Sequence, residues 1–382
     1  MRRSDEEIVG EDRAIRTSSE ALAPGDRTAP HAPVGASTRG HTAMARVVRF
    51  HRTGGPDVMQ FDDLPVGDPQ RGELRVRIEA IGLNRAEAMF RSGAYLETPR
   101  LPARLGYEAS ATVEAVGEGV DGFAPGDAVS VIPAFSMNDY GVYADTAIVP
   151  AYSVVQRPAG VSVIESAAVW MAYLTAWGAL VDIGRLGRGD AVIIPAASSS
   201  VGLAAIQMAN CVGAIPIATT RTRAKAAALQ EAGAAHVVVT SERDLVAEVA
   251  HVTGGKGARL AFDPVGGPQV ETLAQAMSRD GVIVVYGALA TAPTPFPVIA
   301  AMQKALSCAA TPCSNSSATG SGWPAPRPSS KMGSPAEASS RSSRRHSRST
   351  RSFRLTSTWS RTSSSGRSSS QSRTDAALLS SA

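Results

Sequence analysis

Cysteine is nearly absent from this 382-residue chain, which holds only Cys211, Cys308 and Cys313. Thiols this sparse, with no targeting signal beside them, suit a reducing cytoplasm. Long apolar runs are also absent, and with them any expected signal peptide or membrane span. Acid is nearly absent from one region: residues 308–382 carry eleven basic residues against two acidic ones, a net +9. The formal charge of the whole chain is +4, so the remainder stands at −5. The excess of base belongs to the end of the chain, and no nucleic-acid face is expected on the rest.

What is present begins with Asp190 to Met208, DAVIIPAASSSVGLAAIQM. An apolar strand, a turn of small residues and an apolar helix start follow one another directly. This is how a doubly wound fold offers backbone N–H groups at a helix N-terminus to a dinucleotide pyrophosphate. Ala197, Ser199 and Gly202 fill the glycine positions of G-x-G-x-x-G, and Ser198, Ser200 and Val201 complete the turn. Taken alone, the segment also fits an ordinary buried βα unit.

The next apolar run, Ala214 to Thr220, ends without the Asp or Glu that usually binds the ribose 2′-hydroxyl of NAD. Arg221, Arg223 and Lys225 follow Thr220 instead. Positive charge at a helix start opposes the macrodipole, and a 2′-phosphate would remove the conflict. NADPH is therefore expected over NADH. Thr222 is expected to cap the next helix and Gly233 to end it. Strands at 236–240, 260–263 and 281–286 alternate with helices at 244–251 and 269–276, which predicts a parallel sheet covered on both faces. Asp263, Val265, Gly266, Tyr286 and Gly287 fall at strand ends, where such sheets bind ligands. Asp263 fits equally well as a turn residue ahead of Pro264.

Residues 44–160 follow a different pattern, with short alternating runs such as ELRVRIE (Glu73 to Glu79) between Gly, Pro and Asp turns. A compact antiparallel β domain is expected there. GLNRAEAMFRSGAY (Gly82 to Tyr95), LGYEASATVEAVGEGV (Leu105 to Val120), FAPGDAVSVIP, YLTAWGAL (Tyr173 to Leu180) and PAASSSVGLAAIQ occur in order. Together they resemble the medium-chain dehydrogenase/reductase superfamily in its quinone-oxidoreductase branch, over Met44 to Ser307. The resemblance implies an α/β chain: a GroES-like antiparallel domain (44–160), then a doubly wound Rossmann domain (161–307).

The resemblance places Asn84 and Tyr107 where alcohol dehydrogenases of the superfamily carry zinc ligands. Catalytic zinc needs about three nitrogen, sulfur or carboxylate ligands, so a metal-free enzyme is expected. Without a Lewis acid, quinones and α,β-unsaturated carbonyls are better hydride acceptors than alcohols are donors. Asn84, Tyr95 and Tyr107 are the candidate catalytic residues, with Tyr107 able to donate to a substrate carbonyl. Each has a plainer reading, Asn84 as a turn residue and the tyrosines as packing. Thr175 resembles the family threonine beside the nicotinamide. A homodimer is expected for an intact relative.

The two ends depart from the family pattern. Residues 1–43 lack apolar periodicity and are expected to be a disordered extension or an upstream start. About a third of residues 308–382 are Ser. Cys308 to Asn315 can be encoded TGC GCG GCT ACA CCC TGT TCG AAC, which one base upstream yields RGYTLFE. Ser347 to Phe353 permits PLDEIV, and Arg361 to Ser372 permits SNQQFGKIVVTV, like the family's closing strand. A frameshift is therefore expected, leaving an incomplete nucleotide sheet and a disordered tail. Three alternatives follow: an impaired remnant that at most binds NADPH, activity on small alcohols or aldehydes, and RNA binding through the basic tail.

Overall fold

The computed structural model describes residues 43–311. The first 42 residues and residues 312–382, which include nearly all of the expected out-of-frame tail, lie outside the described residues.

The antiparallel part contains strands β1 (Ala43–Phe50), β2 (Met59–Val66) and β3 (Glu73–Ile81), then helix α1 (Arg85–Ser92). Strands β4 (Ala103–Arg104), β5 (Ala109–Val116), β6 (Ala128–Val131), β7 (Thr146–Pro150) and β8 (Val154–Gln156) follow. They form two sheets, ordered β2-β1-β4 and β7-β3-β5-β6-β8. The alternation in β3 turns Leu74 and Val76 inward, both fully buried, while Arg77 stays exposed. Phe50, Phe90, Tyr107, Phe135 and Met137 fill the core beneath them.

Helices α2 (Val163–Ala168) and α3 (Trp170–Trp177) lead into the parallel part. Ser162 caps α2 through a reciprocal capping box with Glu165. Then come β9 (Ala191–Ile194), α4 (Ser200–Val212), β10 (Ile215–Thr220), α5 (Ala226–Glu231), β11 (His236–Val239) and α6 (Leu245–Val252). The series closes with β12 (Ala258–Asp263), α7 (Gln269–Ala276), β13 (Met277–Val285), α8 (Val298–Lys304) and β14 (Ser307–Ala310). The sheet order β11-β10-β9-β12-β13-β14 is the doubly wound order, with every neighbouring pair parallel. Ile193 and Ile194 are adjacent in β9 yet belong to cores on opposite faces. Burial on both faces explains why this strand is apolar without alternation.

Several boundaries move. The 277–285 strand begins four residues before the expected Gly281, because Met277 pairs with Ala258 ahead of an irregularity in the ladder. Thr222 precedes a short 3₁₀ turn, Arg223–Lys225, but its side chain makes no capping bond. The largest correction concerns the end of the nucleotide domain. Ser307–Ala310 pairs in parallel with Val282–Val285, so the first residues assigned to the tail form the sixth strand. Small side chains suffice there, because a strand is held by its backbone ladder. Among the described residues no helix is long and apolar enough to cross a membrane.

Candidate active site

The turn between β9 and α4 is built for close backbone approach. Ser199 caps α4, its Oγ accepting the Gly202 N–H at 3.1 Å. The N–H groups of Ser200 and Val201 find no acceptor among the described residues, as expected of a helix's first turn. Open N–H groups at a helix start are the kind that suit an anion. Gly202 sits so near the preceding turn that a Cβ there would come 2.6 Å from the Ala197 carbonyl oxygen. Ala197 is fully buried and Ser198 is exposed at the rim.

The end of β10 brings cations to this rim. Lys225 Nζ donates to Ser198 Oγ at 3.2 Å, which sets an ammonium group beside the phosphate turn. Arg223 is committed elsewhere, paired with Glu242 beyond β11. Arg221 is exposed and forms no ion pair among the described residues. Thr220 is buried, and its Oγ1 donates to the Thr222 carbonyl, which fixes the turn that carries these cations.

The ends of β12 and β13 make a second wall. Asp263 is fully buried and belongs to the turn, the plainer of its two expected roles. Its Oδ1 accepts from the Val265 N–H at 2.8 Å and from Gln269 Nε2 at 2.7 Å, and its Oδ2 accepts from the Gly266 N–H at 3.1 Å. Burial still pushes its pKa upward against those three donors. Tyr286 stacks on Phe262 with ring centroids 3.9 Å apart, and Gly287 follows it. The loops after the two strands are laced together, Leu289 N–H to the Pro264 carbonyl and Ala290 N–H to the Val265 carbonyl.

In the β domain, Asn84 precedes α1 at its N-cap position, but its side chain reaches sideways rather than capping. Its Nδ2 donates to Glu108 Oε1 at 2.9 Å and to Glu87 Oε1 at 3.4 Å. Glu108 Oε2 accepts the Met171 N–H at 2.8 Å, which fastens the first turn of α3 to the β domain. Both carboxyl groups are buried, and burial raises both pKa values, that of Glu87 to about 8. Thr175, one turn further along α3, donates its hydroxyl to the Met171 carbonyl at 2.6 Å.

Tyr107 needs correction as a donor to substrate. Its residue is fully enclosed, its ring set between Tyr95 and Phe135 at centroid distances of 6.5 and 5.9 Å. The apolar volume of that ring is what the core uses. Tyr95, half-buried, packs edge-on against Phe90 at the end of the same row. Glu87 and Glu108 were missed from sequence, although the Asn84–Glu87 spacing is that of an N-cap and its third helical residue, a pattern that brings such side chains together.

The chain matches the alcohol dehydrogenase GroES-like domain family over residues 70–159 and the zinc-binding dehydrogenase family over residues 200–320. Despite the latter name, Asn84 points amide hydrogens at carboxyl groups, Tyr107 is enclosed and Glu108 is committed to α3. These groups do not fit a zinc ion, and among the described residues no three His, Cys, Asp or Glu side chains gather to hold one. Quinone oxidoreductase 1 of Escherichia coli is 34% identical over 244 residues, 64% of this chain and 73% of the relative. A 2-haloacrylate reductase of Burkholderia sp. is 30% identical over 64% of this chain and 73% of its own length. A solved structure described as an NAD-dependent alcohol dehydrogenase is 33% identical, with TM-score 0.65, over 69% of this chain and 84% of that one. E. coli quinone oxidoreductase complexed with NADPH is 32% identical, with TM-score 0.64, over 70% of this chain and 81% of that one. With the two-domain fold and these relatives in agreement, the chain belongs to the medium-chain dehydrogenase/reductase superfamily, in its quinone-oxidoreductase branch.

Proposed function

We propose that this oxidoreductase uses NADPH, without zinc, to reduce quinones or α,β-unsaturated carbonyl compounds. The observation that carries the cofactor choice is Lys225 Nζ at 3.2 Å from Ser198, beside a second strand that ends in Thr220 rather than an acid. The open N–H groups of Ser200 and Val201 receive the pyrophosphate, and Arg221 and Lys225 receive the 2′-phosphate. The Asp263 turn and the Tyr286–Gly287 segment back the nicotinamide, which supplies hydride when bound. Thr175 borders it from α3, and Tyr95 faces the substrate.

Activated acceptors suit this site because hydride transfer to them yields a delocalised oxyanion, which asks little of the protein beyond positioning. The 2-haloacrylate named for one relative is itself a conjugated alkene, which supports the enone half of the reading. The test is steady-state kinetics of Arg221→Ala, Lys225→Ala and the double variant with both cofactors. The NADPH KM is expected to rise about tenfold or more per lost charged contact, with the NADH KM within about twofold. Equal losses for both cofactors overturn the 2′-phosphate assignment. A second reading, nucleotide binding without turnover, draws on the exposed apolar face around α8, where Ile299 and Met302 are 69% and 78% exposed. NADPH titration beside a quinone-dependent assay separates the two. A second copy of the chain, as in a homodimer, is the cover we propose for that face.

A further inference from the structure

Asn84 is gripped from two sides. Both hydrogens of its amide face carboxyl groups, Glu108 at 2.9 Å and Glu87 at 3.4 Å. Glu108 is itself anchored by the Met171 N–H, and Glu87 Oε1 also accepts the Tyr107 N–H at 3.3 Å. Room for this arrangement comes from Gly82, where a Cβ would lie 2.5 Å from Glu108 Oε1 and 2.3 Å from the Ala167 carbonyl oxygen. Rotating the amide would set its oxygen against two acceptors, so the orientation is chemically determined. The acceptor Oδ1 takes no hydrogen bond among the described residues.

We infer that Glu87 and Glu108 are positioning residues that fix Asn84 as a hydrogen-bond acceptor, so that Asn84 selects a donor group on the cofactor and does not stabilise the substrate oxyanion. Quinones and simple enones have no N–H or O–H to give, whereas the cofactor's ribose hydroxyls and carboxamide do. The inference rests on the proposed reaction for the identity of that donor, and on the geometry alone for the grip.

The two carboxyl groups are not equivalent. Burial raises the pKa of Glu108, and the backbone N–H groups of Met171 and Trp170 at the start of α3 work against that rise by favouring its charged form. Glu87 Oε2 is buried without a hydrogen-bond partner among the described residues. A proton placed on Glu87 leaves its Oε1 free to accept from Asn84 and Tyr107, and burial, with a smaller contribution from Glu108 nearby, favours that placement. Tyr143, from the loop between β6 and β7, senses both carboxyl groups, and Arg91, on α1, acts on Tyr143.

Selective labelling of asparagine gives a direct test. The Asn84 side chain is expected to show two separate amide proton signals, shifted downfield and slow to exchange, in the full chain and in Glu87→Gln. NADPH affinity should fall about tenfold in Asn84→Ala, with the quinone KM within about twofold. Glu87→Gln should stay within about threefold of the parent, because a neutral amide mimics a protonated acid. Glu108→Gln should match Asn84→Ala, and the double variant should be no weaker than either. Solvent-like, rapidly exchanging Asn84 signals overturn the inference, as does a rise in quinone KM with NADPH affinity unchanged. If Glu108→Gln fails to fold, the parent amide signals and the Asn84→Ala affinities still decide. A chain that shows the shielded amide pair and the affinity loss but turns over no quinone keeps the grip and overturns only the proposed reaction.

Discussion

The middle of the parallel sheet and its β14 edge are finished to different standards. Around β9 and α4, the strand is buried on both faces, the helix is capped at Ser199, and Gly202 allows contact too tight for any side chain. Around β14 and α8, Ile299, Met302 and Phe296 are 69%, 78% and 62% exposed, and among the described residues β14 pairs on one side only. A sheet edge and an apolar face left open together are the usual marks of an unmet partner. The β9–α4 turn is thus closed by its own packing, while the apolar face around α8 is left open among the described residues.

The largest effect expected from breaking this contrast lies at the tight end. Gly202→Ala places a methyl group 2.6 Å from the Ala197 carbonyl oxygen, forcing the turn away from its position. Loss of measurable NADPH binding is expected, with a melting temperature several degrees lower; unchanged affinity would show that the turn does not hold the pyrophosphate. A smaller effect is expected from acid–base titration of the β domain. Glu87 has a folded pKa of about 8 against an ordinary 4.5, so the folded state keeps a proton that the unfolded state has already released. Stability should therefore fall as pH rises from about 4.5 to about 8 and level off above. In Glu87→Gln the melting temperature should decline less across that window, and an identical decline would place the titration elsewhere. The smallest effect on stability is expected at the open end. Ile299→Lys with Met302→Lys should leave the melting temperature within about 2 °C, because exposed positions contribute little, while sedimentation shows less self-association. A large drop in melting temperature would mean that the face is already covered.

The fold was legible wherever pattern and chemistry agreed. The α7 helix is expected at 269–276 and lies at Gln269–Ala276, with Val270, Leu273 and Ala274 forming its buried stripe. The strand–turn–helix unit at β9 and α4 was legible despite two missing glycines, since Ala197 and Ser199 are small and only Gly202 must be glycine for packing. Strand β14 was not legible: Ser307–Ala310 has no apolar signature, and only a partner backbone makes it a strand. The site was legible in part. Motif position could locate Asn84, but which end of its amide faces inward depends on Glu87 and Glu108, brought together by a helix turn and a sheet ladder. Tyr107 looked like a donor because a hydroxyl is visible in sequence, whereas its enclosure by Tyr95 and Phe135 is not.

The hydrogen bond from the Met171 N–H to Glu108 also bears on modularity. A nucleotide domain cut out at α2 would carry α3 without the carboxyl group that caps it, and a β domain cut there would keep a buried acid with no backbone partner. Each half would be left with a defect that the other repairs. Domain exchange between relatives should therefore succeed when the junction travels with both Glu108 and α3, and fail when it separates them.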